Sequence, residues 1–306
     1  MIVLVTIYAG FLSSCATDET NKQLVFATPE SAVEALKVAL KDNNIPALLN
    51  LFGNQYKSEI DTSDKAAEKV RRNKFYKVIS DGYRFEPIEP NKVTVLIGKN
   101  DWPFSIPLIK NDAGWYFDTE AGIEEIINRR IGHNELAAIA ACDATLDAQV
   151  EYAKTDHDDD GVLEFAQEFK SKPGQRNGLY WESPKGAATT EKSPLEAFIQ
   201  DAGDYLNSGG STKDPYKGYF FKVISSQGEN AVGGKYNYTI NENLIAGFAV
   251  IAWPAEYSNT GIMTFMISHE GTILEKDLGK NTAQLVADMT SFNPDKTWQS
   301  IQLGGK

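Results

Sequence analysis

The chain has 306 residues, with 42 acids against 30 bases and a formal net charge of −12. Such acidity repels a phosphate backbone, so nucleic acid is not an expected partner. Two cysteines and three histidines are too few for a disulfide framework or a Cys/His zinc site, while 42% apolar residues supply real cores.

Met1 to Thr17 carries no charge. Its apolar run, Ile2 to Leu12, is too short to cross a bilayer and has the length of a signal-peptide core. The run ends in Leu12-Ser13-Ser14-Cys15, which resembles the lipobox of bacterial lipoproteins: Leu, two small residues, then Cys. The resemblance implies a signal peptide over residues 1–14, cleavage before Cys15 and a diacylglycerol on its thiol. Several acyl chains on one residue make a stable anchor. One departure is that no Lys or Arg precedes the run. The other reading of Cys15 is an incidental thiol in an N-terminal helix. Residues 15–26 are expected to be a tether. Ala16 and Thr17 stand where some lipoproteins carry the Asp that retains them at the inner membrane, which favours the outer one.

Thr28-Pro29-Glu30 predicts a helix start, with Thr as cap, Pro at the first position and an acid in the first turn. Val33, Leu36 and Leu40 line one face. A second helix is expected from Pro46 to Phe52, with Leu48, Leu49 and Phe52 inward and Gly53 as its stop. A third is expected from Ser63 to Ile79, with Ala66, Val70 and Val78 inward. Period-two patterning then predicts strands from Tyr83 to Ile88, Lys92 to Gly98, Phe104 to Lys110 and Gly114 to Phe117. Asp118-Thr119 starts a helix through Arg130, with Ile123, Ile126 and Ile127 on one side. Helices followed by antiparallel strands make residues 27–131 an α+β unit.

The second half, residues 132–303, begins with a helix expected from Asn134 to Lys154, with Leu136, Ile139, Leu146, Val150 and Ala153 at helical spacing. An acidic loop and a Gly/Ser/Pro/Thr-rich stretch from Lys172 to Pro215 follow. Strands are expected from Tyr219 to Ser225, Lys235 to Ile240, Leu244 to Trp253, Gly261 to Ser268 and Thr272 to Lys276, then a helix from Thr282 to Thr290. One long helix on an antiparallel meander is a second α+β unit.

These patterns carry three resemblances. "TPESAVEALKVALKDNNIPALLNLF" followed by "GWYFD" resembles the nuclear transport factor 2-like domains, which implies a curved sheet around helices with a conical pocket. "GWYFDTEAGIEEIINRRIGHNELAAIAACDATLDAQVEYA", "DGVLEFAQEF", "GQRNGLYW" and "AGFAVIAWPAEYSNTGIMTFMISHEGTILEKDLG" together resemble the bacterial family called domain of unknown function 2950. That resemblance implies a secreted or envelope-anchored protein of Gram-negative type and no established activity. The second half also resembles the globular heads of type II secretion pseudopilins, without their apolar N-terminal stem.

The sharpest local motif is "DHDDDGVLEF". Asp156, Asp158 and Asp160 hold positions one, three and five of a calcium-type loop, Gly161 the sixth, and Val162 a backbone carbonyl at the seventh. Glu164 and Glu168 complete the candidate calcium set. Position twelve is Gln167, so a bidentate Glu is missing in register. The other reading is a solvated Asp-Gly turn. Tyr180, Trp181, Trp253 and Tyr257 are candidates for a glycan or peptide groove, against ordinary sheet packing. His133 and His269, beside Glu135 and Glu270, read as turn or cap pairs. Cys142 reads as a buried inert thiol, and Arg129-Arg130 as a helix-end pair facing an interdomain acid.

No catalytic motif of known type is present in the sequence. The expected function is therefore non-catalytic: a periplasm-facing lipoprotein that binds or assembles with an envelope protein or cell-envelope polymer. One alternative is an enzyme or small-ligand binder using the pocket of the first unit, with Tyr56, Glu59, Tyr83, Asp101 and Asp118 as its titratable groups. Another is a calcium-stabilised adhesin-like module.

Overall fold

The computed structural model describes residues 23–172, 174–181, 193–195 and 215–301. Cys15 and the expected signal peptide over residues 1–14, with most of the Lys172 to Pro215 stretch, lie outside the described residues.

The first unit opens with four helices. Thr28 Oγ1 accepts the Ser31 N–H at 3.2 Å and Ser31 Oγ accepts the Thr28 N–H at 3.3 Å, a reciprocal cap for α1 (Pro29–Lys41). Asn44 caps α2 (Ile45–Phe52) by accepting the Ala47 N–H at 3.0 Å, and the helix stops at Gly53. After α3 (Lys57–Ile60), Asp64 caps α4 (Lys65–Asp81) through the Ala67 N–H at 2.9 Å. The expected inward stripe of α4 is only partly right. Ala66 is buried, but Val78 is 39% exposed, and the helix instead buries Glu68 and Arg72. Charged groups can be buried where they pair with one another, and here they do.

Five antiparallel strands follow: β1 (Tyr83–Glu89), β2 (Lys92–Ile97), β3 (Trp102–Pro103), β4 (Leu108–Asn111) and β5 (Gly114–Phe117). Their order is β1-β2-β4-β5, with β3 also on β2. The strand expected from Phe104 begins only at Leu108. Pro103 and Pro107 have no N–H to give a ladder, so residues 104–107 cross between strands instead. The helices pack on this sheet around Leu36, Leu40, Phe52, Ile79, Ile97 and Phe117.

The two helices expected either side of Ile131 are one, α5 (Thr119–Tyr152), 34 residues without a break. Gly132 is helical, so the boundary read at 131/132 falls inside an element that serves both units. Its first turns touch the first unit: a Cβ on Gly122 would stand 2.3 Å from the Ser105 carbonyl oxygen. Its later turns lie on the second sheet. The large side chains expected to face inward there do not all do so, since Leu136 is 70% exposed and Val150 is also exposed. The buried stripe is Ala138, Ala141, Cys142, Thr145, Ala148, Gln149 and Tyr152. Small residues let the helix axis approach the sheet closely, which a Leu stripe would prevent.

In the second unit, β6 (Glu168–Lys170) pairs in parallel with β7 (Gly178–Tyr180). The main sheet takes β8 (Tyr219–Ile224), then leaves it for two short hairpins, β9 (Ser226–Gln227) with β10 (Tyr236–Asn237) and β11 (Thr239–Ile240) with β12 (Asn243–Leu244). It returns with β13 (Ala249–Pro254), β14 (Met263–Ser268) and β15 (Ile273–Asp277), followed by α6 (Thr282–Asp288) and β16 (Gln299–Ser300). The order is β16-β15-β14-β13-β8, antiparallel throughout. Both halves are thus α+β.

Candidate functional site

A cavity of about 480 Å³ opens in the first unit between α1, α2, α4, the β2–β3 edge and the start of α5. Its floor is apolar and buried: Leu36, Leu40, Leu48, Phe52, Ile97 and Ile106. Ile123 and Ile126 of α5 close one side. Exposed residues mark the opening. Trp102 stands there with the Arg129 guanidinium 5.5 Å over its ring, and Arg129 Nε donates to Glu125 at 2.6 Å.

Charge is distributed unevenly around this apolar floor. Six Lys or Arg side chains line the cavity against two Glu, in a chain that is acidic as a whole. The centre of the charge is Glu68, 5% exposed. Its carboxylate accepts from Arg71 Nη2 at 2.9 Å and Thr62 Oγ1 at 3.1 Å. Arg130 Nε stands 3.5 Å from the same oxygen, and Arg72 Nη1 3.9 Å from the other. Three guanidiniums therefore share one buried carboxylate. Burial pushes the Arg72 and Arg130 guanidiniums below their ordinary pKa, and the Glu68 charge pulls both back up. A guanidinium stays protonated under such shifts, so the positive charge is permanent.

This cluster also joins the two units. Arg130 Nη1 donates to Asn259 Oδ1 at 2.5 Å, and its Nη2 donates to the Glu59 carbonyl. Asn134 accepts from Arg71 at 3.2 Å and donates to the Thr260 carbonyl at 2.8 Å. Around them, Ser63 N–H donates to Glu256 at 2.6 Å and Gly218 N–H to Asp64 at 2.7 Å. Arg129-Arg130 is therefore not a helix-end pair. It sits in mid-helix, and Arg130 faces Glu68 and the second unit.

The family match covers residues 23–301. The chain belongs to the family described as protein of unknown function (DUF2950). No curated protein and no solved structure matches it. In this DUF2950 chain, one of the five titratable candidates, Glu59, lines the cavity. Tyr83 instead donates to Glu34 at 3.2 Å, and Asp101 makes a two-pronged pair with Arg84 at 2.8 and 3.0 Å on the surface. Asp118 precedes α5, and Tyr56 sits between α2 and α3.

Of the calcium candidates, Asp156, Asp158 and Asp160 come together, with carboxylate oxygens within 4.8 Å of one another. Glu164 and Glu168 are not part of that group. Glu164 accepts from Leu244 N–H at 2.8 Å, and Glu168 opens β6. Val162 N–H donates to Asp160 at 2.7 Å. Asp156 organises the loop by accepting from Asp158, Asp159 and Gly161 N–H at 3.3, 2.8 and 2.8 Å, which holds its carboxyl below the usual range.

The aromatic candidates are not brought into one groove. Tyr180 and Trp181 are buried under the end of α5 with Tyr152, Leu179 and Leu195. Trp253 packs on Phe220, and Tyr257 donates to Asp277 at 3.2 Å. Glu135 accepts from Ile262 and Met263 N–H at 2.9 and 3.0 Å, a clamp on β14, and His133 lines the cavity. His269 Nε2 lies 3.5 Å from Glu270. Cys142 is fully buried, which pushes its thiol up to about 12.

The Glu68–Arg71–Arg72–Arg130 cluster is what sequence reasoning missed. "EKVRRNKF" has the texture of a solvated helix face. The available signal was the weak apolar stripe of α4, which leaves charged residues at positions i, i+3 and i+4 to face the neighbours.

Proposed function

We propose that the chain is a periplasm-facing, lipid-anchored binding protein that holds a small molecule in the cavity of its first unit. The cavity carries this reading. Its volume of about 480 Å³ lies within the roughly 300–1,000 Å³ of small-molecule sites, and its apolar floor is bordered by charged side chains that can orient a ligand. With Glu59 alone of the titratable candidates at the wall, the lining favours retention of a ligand over acid–base chemistry. Helices packed on an antiparallel sheet support the nuclear transport factor 2-like reading of this unit, and α5 on β13–β15 supports the pilin-head reading of the other. The address rests on the Cys15 motif; palmitate labelling that disappears in Cys15→Ala is its expected outcome.

The test of binding is titration of a neutral solvatochromic dye into the full chain. Saturable, blue-shifted binding is expected, and Ile126→Trp, which fills the cavity, is expected to remove it. Absence of saturation overturns the reading. Crosslinked capture from the native envelope tests the competing partner, an envelope protein or cell-envelope polymer. A calcium-stabilised loop is a second reading, favoured by the convergence of Asp156, Asp158 and Asp160.

A further inference from the structure

We infer that the ligand is a single-chain amphipathic anion, a carboxylate or phosphate head on an alkyl chain, with the head at Arg72 and the chain against Leu36, Leu40 and Leu48. The inference rests on the cavity reading above and deepens it.

Arg72 carries the argument. It lines the cavity, is 8% exposed, and its Nη1 has no hydrogen-bond partner among the described residues. Its Nε is committed to Asn43 Oδ1 at 2.6 Å, which fixes the plane of the guanidinium. Arg71 Nε is likewise buried without a hydrogen-bond partner. An unmatched buried donor is costly, more so on a charged group, and the cost disappears when an anionic acceptor arrives. Glu68 does not meet this need: its Oε1 serves Arg71, Thr62 and Arg130, and its Oε2 stands 3.9 Å from Arg72 Nη1, beyond hydrogen-bond reach. The local charge favours an anion for the same reason. Of the two acids at the wall, Glu68 is engaged by the arginines, and Glu59 has an Oε2 buried without a hydrogen-bond partner among the described residues.

The apolar floor requires the other end of the ligand to be a hydrocarbon. A cavity of about 480 Å³ stands toward the lower end of the roughly 300–1,000 Å³ range, which suits one chain rather than two. A free fatty acid and a single-chain phospholipid share this chemistry, and the head group separates them.

The test is calorimetric titration of the full chain with dodecanoate, dodecyl phosphate and dodecanol below their micelle concentrations. Dodecanoate or dodecyl phosphate is expected to bind at least about tenfold tighter than dodecanol, the gain of a charge-assisted hydrogen bond. The tighter of the two names the head. Each methylene removed is expected to weaken binding about fourfold. Arg72→Met is expected to abolish the preference for the anion over dodecanol, and saturable dye binding by the variant reports that the cavity is intact. Should Arg72→Met fail to fold, Glu59→Gln serves instead: it is expected to tighten dodecanoate and not dodecanol. Equal binding of alcohol and anion overturns the anionic head and leaves the cavity reading standing. Binding of none of the three, together with no dye binding, overturns both.

Discussion

Arg130 and Asn259 are 129 residues apart in sequence and meet at 2.5 Å, Nη1 to Oδ1, across the two units. The same guanidinium stands 3.5 Å from Glu68 and is 6% exposed. It therefore ties the cavity wall to the β13–β14 connection in one buried contact. Removing it strands the Glu68 charge among fewer partners. Arg130→Met is expected to lower stability by about 3 kcal/mol, the scale of breaking a buried ion pair. Asn259→Ala, which removes hydrogen bonds to Arg130, the Ser58 carbonyl and Glu256 and no charge, is expected to cost about 1–3 kcal/mol. The double variant should cost less than both together, because the two share a contact. Urea denaturation of the four proteins measures this. Strict additivity would show that the two residues act independently.

Two glycines of α5 should respond in opposite directions to the same change. A Cβ at Gly122 meets the Ser105 backbone oxygen at 2.3 Å, so either the helix or the crossing segment must move. Gly122→Ala is expected to destabilise by about 2 kcal/mol, as overpacking does. At Gly132 no described residue beyond its own helix backbone and chain neighbours lies within 4 Å of the added carbon, and the position is helical. Gly132→Ala is expected to stabilise by about 0.5–1 kcal/mol, since alanine gives up less backbone freedom in a helix. Melting temperatures that move the same way in both variants would contradict the continuous α5.

These two glycines also show how far the sequence could be read. The cap at Thr28, the stop at Gly53 and the β4–β5 hairpin depend on local chemistry, and local chemistry is visible in order along the chain. The continuity of α5 is not local. Gly132 weakens the helix by itself, and buried Arg130, Ile131 and Asn134 on either side hold it through. The small-residue stripe was hidden for a related reason: periodicity weights Leu136 and Val150 above Ala138 and Ala148, yet the close helix–sheet approach selects the smaller ones. The cavity's charge was hidden because Glu68, Arg71, Arg72 and Arg130 gain meaning only once α4 and α5 are side by side.

Asp156 gives a pH prediction. Three backbone N–H groups favour its ionised form, and its folded pKa lies below the unfolded one. The stabilisation is therefore complete above the ordinary carboxylate pKa and is lost as pH falls through the lower, folded value. Asp156→Asn should melt below the parent at pH 7, with the gap closing toward pH 3. A gap that is constant with pH would place the effect elsewhere. The same pair tests calcium: a midpoint raised by millimolar calcium in the parent and not in Asp156→Asn supports the cation loop, and an unchanged parent removes it.

Cys142 supplies the last prediction. It lies at the centre of the α5 stripe, fully buried among Ala138, Tyr219, Val250 and Phe265. Burial holds its thiol up to about 12, so thiolate is scarce at neutral pH, and no path leads a reagent to it in the closed fold. In Cys15→Ala, where Cys142 is the one remaining cysteine, a maleimide is expected to react only as fast as the chain opens. Denaturant should accelerate labelling by orders of magnitude. Cys142→Ala leaves a void of one sulfur atom and should cost about 1 kcal/mol or less, whereas Cys142→Leu must push α5 off β14 and should cost about 1–3 kcal/mol. The order of these two costs is the test of the close approach. If Leu is accommodated more easily than Ala, the helix does not lie as near the sheet as the small residues require.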